Sequence, residues 1–161
     1  MVQEGLIDRW IKKLSSDEPL QKEASKKLIA RLNEDLRDEL KLAMELEAEA
    51  AHLLYEHLAK EIRKVAREKR NQAQTIEKLI IDLGGAVDKE EMDSYRAEPD
   101  GQFKEIIQLE AELSRRLVEQ LNLAEDGGLQ EAVSILISLK EEHDRHLEAI
   151  ENVIMKVNTS L

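Results

Sequence analysis

Between residues 129 and 157 apolar positions recur at helical spacing. At about 100° of rotation per residue, Ala132, Leu136, Leu139, His143, His146, Ile150, Val153 and Val157 share one stripe. Two histidines therefore take places that a helix normally gives to its core, and buried imidazoles need polar partners. Three further stretches keep the same period. The first carries Leu28, Leu32, Leu36, Ala43, Leu46, Ala50 and Leu54; the second Ile62, Val65, Ala66, Ala73, Ile76, Ile80 and Leu83; the third Phe103, Ile106, Leu109, Leu113, Leu117 and Leu121. Gly84-Gly85 stops the second stripe and Asp126-Gly127-Gly128 the third, as helix C-termini do. No proline or glycine falls between Pro19 and Leu83. A single helix of that length would be nearly ~100 Å long and could not bury its own face, so a turn is expected between Tyr55 and Lys60.

These stripes predict an all-α chain: an antiparallel four-helix bundle over residues 16–161, built of a hairpin (16–83), a crossover (84–102) and a second hairpin (103–158). The crossover, AVDKEEMDSYRAEPDGQ after the glycine pair, is polar and carries Pro99 and Gly101. Extended, it reaches roughly 60 Å, more than the ~35 Å of the helix it follows, so it can run from one end of a bundle to the other. The short Asp-Gly-Gly connection makes the last two helices antiparallel neighbours. Ahead of the bundle, residues 1–15 are expected to form a separate accessory helix, with Leu6, Trp10 and Leu14 on one side and Ile7 and Ile11 beside them. Ser15, Ser16 and Asp17 then supply capping side chains for a helix that begins at Pro19.

Composition narrows the chemistry. The chain of 161 residues has a net charge of −11 and 2% aromatic residues, which repels phosphate backbones and offers no stacking platform. Nucleic acid is therefore excluded as a partner. The accessory helix has basic residues Arg9, Lys12 and Lys13, but so acidic a chain disfavours a membrane surface, and no run approaches the ~20 apolar residues of a membrane span. A cytoplasmic protein is expected. With no cysteine, any metal must be held by carboxylate and imidazole. No phosphate loop, hydrolase nucleophile or HExxH motif is present.

Polar residues on the inward stripes form a small set. Glu39 lies between Leu36 and Ala43, with Glu47 at the margin; Lys69 lies between Ala66 and Ala73, with Gln72 to one side; Glu110 lies between Ile106 and Leu113. The last helix gives His143 and His146. Facing residues of an antiparallel hairpin are equidistant from its turn. The midpoint between Glu110 and the histidines falls at the Asp-Gly-Gly turn, and that between Glu39 and Lys69/Gln72 falls near residues 54 and 55. All four helices thus contribute to one layer. Carboxylates and imidazoles converging in an apolar bundle are the arrangement of helix-bundle metal sites.

With LIARLNEDLRDEL in the first helix, IEKLIIDLGG ending the second, LEAEL in the third and LKEEHDRHLEAI in the fourth, the chain resembles the ferritin-like superfamily, which includes bacterioferritins and rubrerythrins, over most of residues 27–155. The resemblance implies a long middle crossover and assembly into a homo-oligomer. It also implies a site in which the first and third helices each give a glutamate, and the second and fourth each a Glu-x-x-His motif, around two iron ions. Glu39 and Glu110 match the single glutamates and His146 the last histidine. Lys69, Gln72 and His143 stand where the pattern has Glu, His and Glu.

Two readings follow. In one, Glu39, Glu110, His143 and His146 are ligands to one divalent ion, iron, zinc or manganese, Lys69 tunes the site, and the protein handles iron or oxygen species. In the other, Glu39, Lys69, Gln72, Glu110, His143 and His146 form a salt-bridged layer without an ion, Lys69 replaces the metal charge, and the bundle acts through its surface as an oligomeric or interaction module. His52 and His57 read as surface or capping residues, Tyr55 as a helix-end aromatic, and Glu45, Glu47 and Glu49 as a solvated helix face.

Overall fold

The computed structural model describes the backbone of residues 2–159 and the side chains of residues 19–159. Four helices carry the fold: α1 (Val2–His52), α2 (Glu56–Asp82), α3 (Lys104–Asp126) and α4 (Gln130–Thr159), with a 3-10 turn at Glu90–Asp93 in the crossover. Helix α1 packs on α2 and α3, and α4 packs on the same two, so the cyclic order is α1, α2, α4, α3. None of the described helices is long and apolar enough to cross a membrane.

Two boundaries differ from the pattern in the sequence. The expected separate accessory helix over 1–15 is instead the start of α1, which continues through Pro19. A proline removes one backbone donor from the preceding turn, but strong helix formers such as Leu20, Gln21 and Lys22 follow it and the helix carries on. The apolar side chains from Leu6 to Leu14 and the caps Ser15, Ser16 and Asp17 lie outside the described side chains. The first turn comes earlier than expected, at residues 53–55, where Tyr55 takes an extended conformation and its carbonyl accepts from Leu58 and Ala59. Leu54, placed on the apolar stripe by its spacing, sits in this turn and is 89% exposed.

The other stripes face inward. Leu28, Leu32, Leu36, Ile62, Ile80, Leu113 and Ile150 are buried, each large one contributing about 1.5–3 kcal/mol. Helix α2 ends as its glycines require: Gly84 is left-handed (φ 89°), and the Gly84 and Gly85 amides donate to Ile81 and Ile80, each at 2.9 Å. Phe103 opens α3 in the left-handed region (φ 60°), a conformation that disfavours a side chain; its ring is buried in the core, which holds it there.

The crossover is fastened along α1 at every fourth residue. Asn33 Nδ2 donates to the Ala86 carbonyl (3.0 Å) and its Oδ1 accepts from the Asp88 amide (2.9 Å). Arg37 reaches Asp88, and the Lys41 ammonium stands over the Tyr95 ring. Glu45 accepts from the Tyr95 hydroxyl and the Glu98 amide, and Glu49 from the amides of Asp100 (3.0 Å) and Gly101 (3.3 Å). Glu45 and Glu49 are each only 2% exposed, which corrects their reading as a solvated face: the crossover covers them and supplies the donors a buried carboxylate needs. Glu47 does face solvent, paired with Arg70.

Two measurements test this account. A Cβ on Gly127 would stand 2.4 Å from the Ala24 Cβ, so Gly127→Ala should lower stability by about 1–3 kcal/mol in denaturant titrations, and adding Ala24→Gly should recover most of that; no recovery would mean that the α1 contact is not the cause. Glu49→Ala should raise amide exchange at Asp100 and Gly101 at least tenfold while leaving α2 unchanged, because only local opening is involved.

Candidate functional site

The six polar residues expected in the core are all buried: Glu39, Lys69, Gln72, Glu110, His143 and His146 are each at most 3% exposed. Their helices place them there because each lies on the same stripe as the neighbouring apolar residues. What they touch differs from a simple convergence. The Lys69 ammonium lies 2.7 Å from Glu110 Oε1 and 3.6 Å from Glu39 Oε1. His143 Nδ1 lies 2.8 Å from Glu110 Oε2. Lys69, Glu110 and His143 thus form a tight cluster from α2, α3 and α4, with Glu39 of α1 at its edge.

His146 faces another way. Its Nε2 is 2.7 Å from Glu68 Oε2 on α2, and Gln72 donates to Glu142 (3.0 Å). Both pairs lie along the α2/α4 seam, where a cavity of about 350 Å³ lined by Lys64, Glu68, Arg145 and His146 opens to solvent. The expected ligands Glu39, Glu110, His143 and His146 are therefore split between the central cluster and the seam. Among the described residues, no group of three or more His, Cys, Asp or Glu side chains is placed to hold a metal ion.

Burial and charge set the protonation of the layer. Burial pushes the Glu39 carboxyl up to about 8, since Lys69 at its longer distance offsets only part of the desolvation and the Glu110 charge adds to it. Burial would also raise Glu110, but the Lys69 charge and the His143 contact outweigh it and hold Glu110 below the ordinary carboxylate value. One ammonium thus faces one carboxylate, with Glu39 as a neutral acid at pH 7. Burial and the Lys69 charge keep the His146 imidazole below the usual histidine range, against the pull of Glu68.

A second buried acid escaped the sequence reading. Asp35, one turn before Glu39, is fully buried and bound by Arg116 of α3 (3.1 Å), which also pairs with Asp38. Burial raises Asp35 to about 7 despite Arg116. Its spacing from Glu39 was a usable signal; Glu68 and Glu142 carried none, because each sits at the margin of a stripe and becomes a partner only through α2/α4 packing. His52 and His57 are exposed and Tyr55 largely so, near the first turn and away from the layer.

The two-metal group implied by the resemblance needs lone-pair donors from all four helices. At the two pattern positions α2 supplies an ammonium and an amide, which are poor ligands, and its neighbouring carboxylate, Glu68, is already paired with His146. The residues present do not fit that group.

The Glu39 carboxyl supplies a pH test. Folded, it keeps its proton to about pH 8, against an ordinary 4.5, so its contribution to stability is full below pH 4.5 and is lost as pH rises through 8. Glu39→Gln should flatten that loss: denaturant midpoints at roughly pH 5, 7 and 9 should fall more steeply for the wild type. Equal slopes would show Glu39 ionised throughout.

The family model described as the ferritin-like domain matches residues 29–160. No curated protein matches the chain. With four antiparallel helices, the end-to-end crossover and a match over most of its length, the chain belongs to the ferritin-like family.

Proposed function

We propose that this ferritin-like chain is a non-catalytic bundle, its central layer closed by Lys69, and that it works as an oligomeric or interaction module through its surface. The observation that carries the reading is the Lys69 ammonium, fully buried and 2.7 Å from Glu110. A buried ammonium neutralises a carboxylate as a bound cation would, and it competes for the same oxygen. The contacts of the layer come from the chain itself: the Lys69 ammonium and His143 Nδ1 lie 2.7 and 2.8 Å from the two Glu110 oxygens, His146 Nε2 lies 2.7 Å from Glu68, and Gln72 donates to Glu142. Function then passes to the outside of the bundle, where Ile81 of α2, Met155 of α4 and Leu54 of the first turn are exposed.

The opposing reading, one divalent ion on Glu39, Glu110, His143 and His146, needs Lys69 displaced and His146 turned from Glu68. Metal analysis separates the two. After incubation with ferrous iron or zinc and desalting, the wild type should retain well under one ion per chain. About one ion per chain, lost in His146→Ala, would establish the opposing reading and overturn this one. Sedimentation of the same sample should give a defined assembly larger than one chain; a strict monomer at tens of micromolar would remove the homo-oligomer from the proposal. Lys69→Glu with Gln72→His restores two lone-pair donors to α2 and should raise zinc uptake at least tenfold.

A further inference from the structure

At the end of the bundle that carries the first turn, apart from the central layer, lies a cavity of about 170 Å³. Its walls are Leu53, Leu54, Tyr55 and Val157, and its polar groups include Glu49 and His52. Sites for drug-sized ligands hold ~300 Å³ or more, so this one takes something smaller. Glu49 is its unusual member, a carboxyl only 2% exposed. Oε1 accepts from the amides of Asp100 (3.0 Å) and Gly101 (3.3 Å). Oε2 is buried and meets no hydrogen-bond donor among the described residues, a costly condition for a carboxylate oxygen. Burial raises the Glu49 carboxyl above its ordinary value; the two amides oppose the rise, and the charge of Asp100 adds to it. The chain thus answers this carboxyl on one side only.

The geometry points to a binding site for a primary ammonium on a short alkyl chain, its N–H groups donating to Glu49 Oε2 and its chain lying against Leu53, Leu54 and Val157. Each part of such a ligand answers a feature of the cavity. The ammonium supplies the missing hydrogen bond in its stronger, charge-assisted form. The alkyl chain buries apolar surface, and the Tyr55 ring is a wall of the kind that attracts cations. An anion would be repelled by Glu49 and Asp100, and an inorganic cation would gain nothing from the apolar walls. A free amine and a lysine side chain of another protein share this chemistry. The site is independent of how the central layer is closed.

The test titrates n-butylamine, protonated at pH 7, into the ¹⁵N-labelled full chain. The amides of Leu53, Gly101 and Val157 should shift in a saturable way, while n-butanol and tetramethylammonium should bind at least tenfold more weakly, the first lacking charge and the second an N–H donor. Glu49→Gln keeps an oxygen for the Asp100 and Gly101 amides but places an NH₂ donor where Oε2 stood, so it should weaken amine binding at least tenfold with the crossover amides still protected. Val157→Phe leaves the carboxyl intact and fills the cavity, so it should abolish binding even where Glu49→Gln does not fold. Nα-acetyl-lysine methylamide separates the sources: tighter binding than n-butylamine assigns the site to a lysine side chain, weaker binding to a free amine. No saturable shift with either amine overturns the inference, as does equal binding of n-butanol or tetramethylammonium, binding unchanged in a folded Glu49→Gln, or binding that survives Val157→Phe.

Discussion

The contact on which the centre of this bundle depends is the one between the Lys69 ammonium and Glu110 Oε1, 2.7 Å apart with both side chains fully buried. Neither charge could stay there alone, since removing one partner of a buried ion pair typically destabilises by about 3–5 kcal/mol. The pair joins α2 to α3, which are diagonal in the cyclic order and have no direct helix packing between them. Through His143 it reaches α4, and through Glu39 it reaches α1. Apolar burial drives the helices together but tolerates sliding by a turn. A buried ion pair does not, because sliding by a turn would part the Lys69 ammonium from Glu110 and leave both charges buried alone, so it sets the register that the leucines alone leave loose.

A second constraint works along the outside of α1. Asn33, Arg37, Lys41, Glu45 and Glu49 recur every fourth residue, and a spacing of four advances about 40° per step beyond a full turn. The row therefore winds slowly around the helix, and the crossover follows it from Ala86 to Gly101. This explains how a polar segment with one short 3-10 turn spans the bundle in a definite path. Its backbone amides find acceptors on α1, and the buried carboxylates of α1 find donors in the crossover, so each side satisfies groups that would be costly unpaired. The route is a property of α1 as much as of the linker.

How much of this was legible in the sequence follows from what each residue's signal depends on. Helix period placed Glu39, Lys69, Gln72, Glu110, His143 and His146 in the core, because burial of a helical position is set by its own angle on the stripe. Their partners were less legible, since Glu68 meets His146 only through the packing of α2 against α4. Glu45 and Glu49 looked solvated because nothing local shows that a segment fifty residues later lies over them. Leu54 misled in the opposite direction: an apolar residue at the right spacing extended the stripe into a turn that no glycine or proline announces. Pro19 was read as a boundary from a local preference that the surrounding helix formers outweigh.

The substitutions that separate this chain from the pattern it resembles agree with one another electrostatically. In that pattern four glutamates face two divalent cations. Here the two second-motif glutamates are replaced by Lys69 and His143, and the histidine of α2 by Gln72, so the layer keeps two carboxyls and one fixed cation. One ammonium balances one carboxylate, and Glu110, the nearer, keeps its charge while burial protonates Glu39. Either change alone would leave the charges unbalanced: Lys69 with a glutamate still at position 143 would face an excess of carboxylate, and His143 with a glutamate still at position 69 would leave Glu110 without a fixed cation. In this layer the one fixed cation, Lys69, stands 2.7 Å from the carboxylate that keeps its charge.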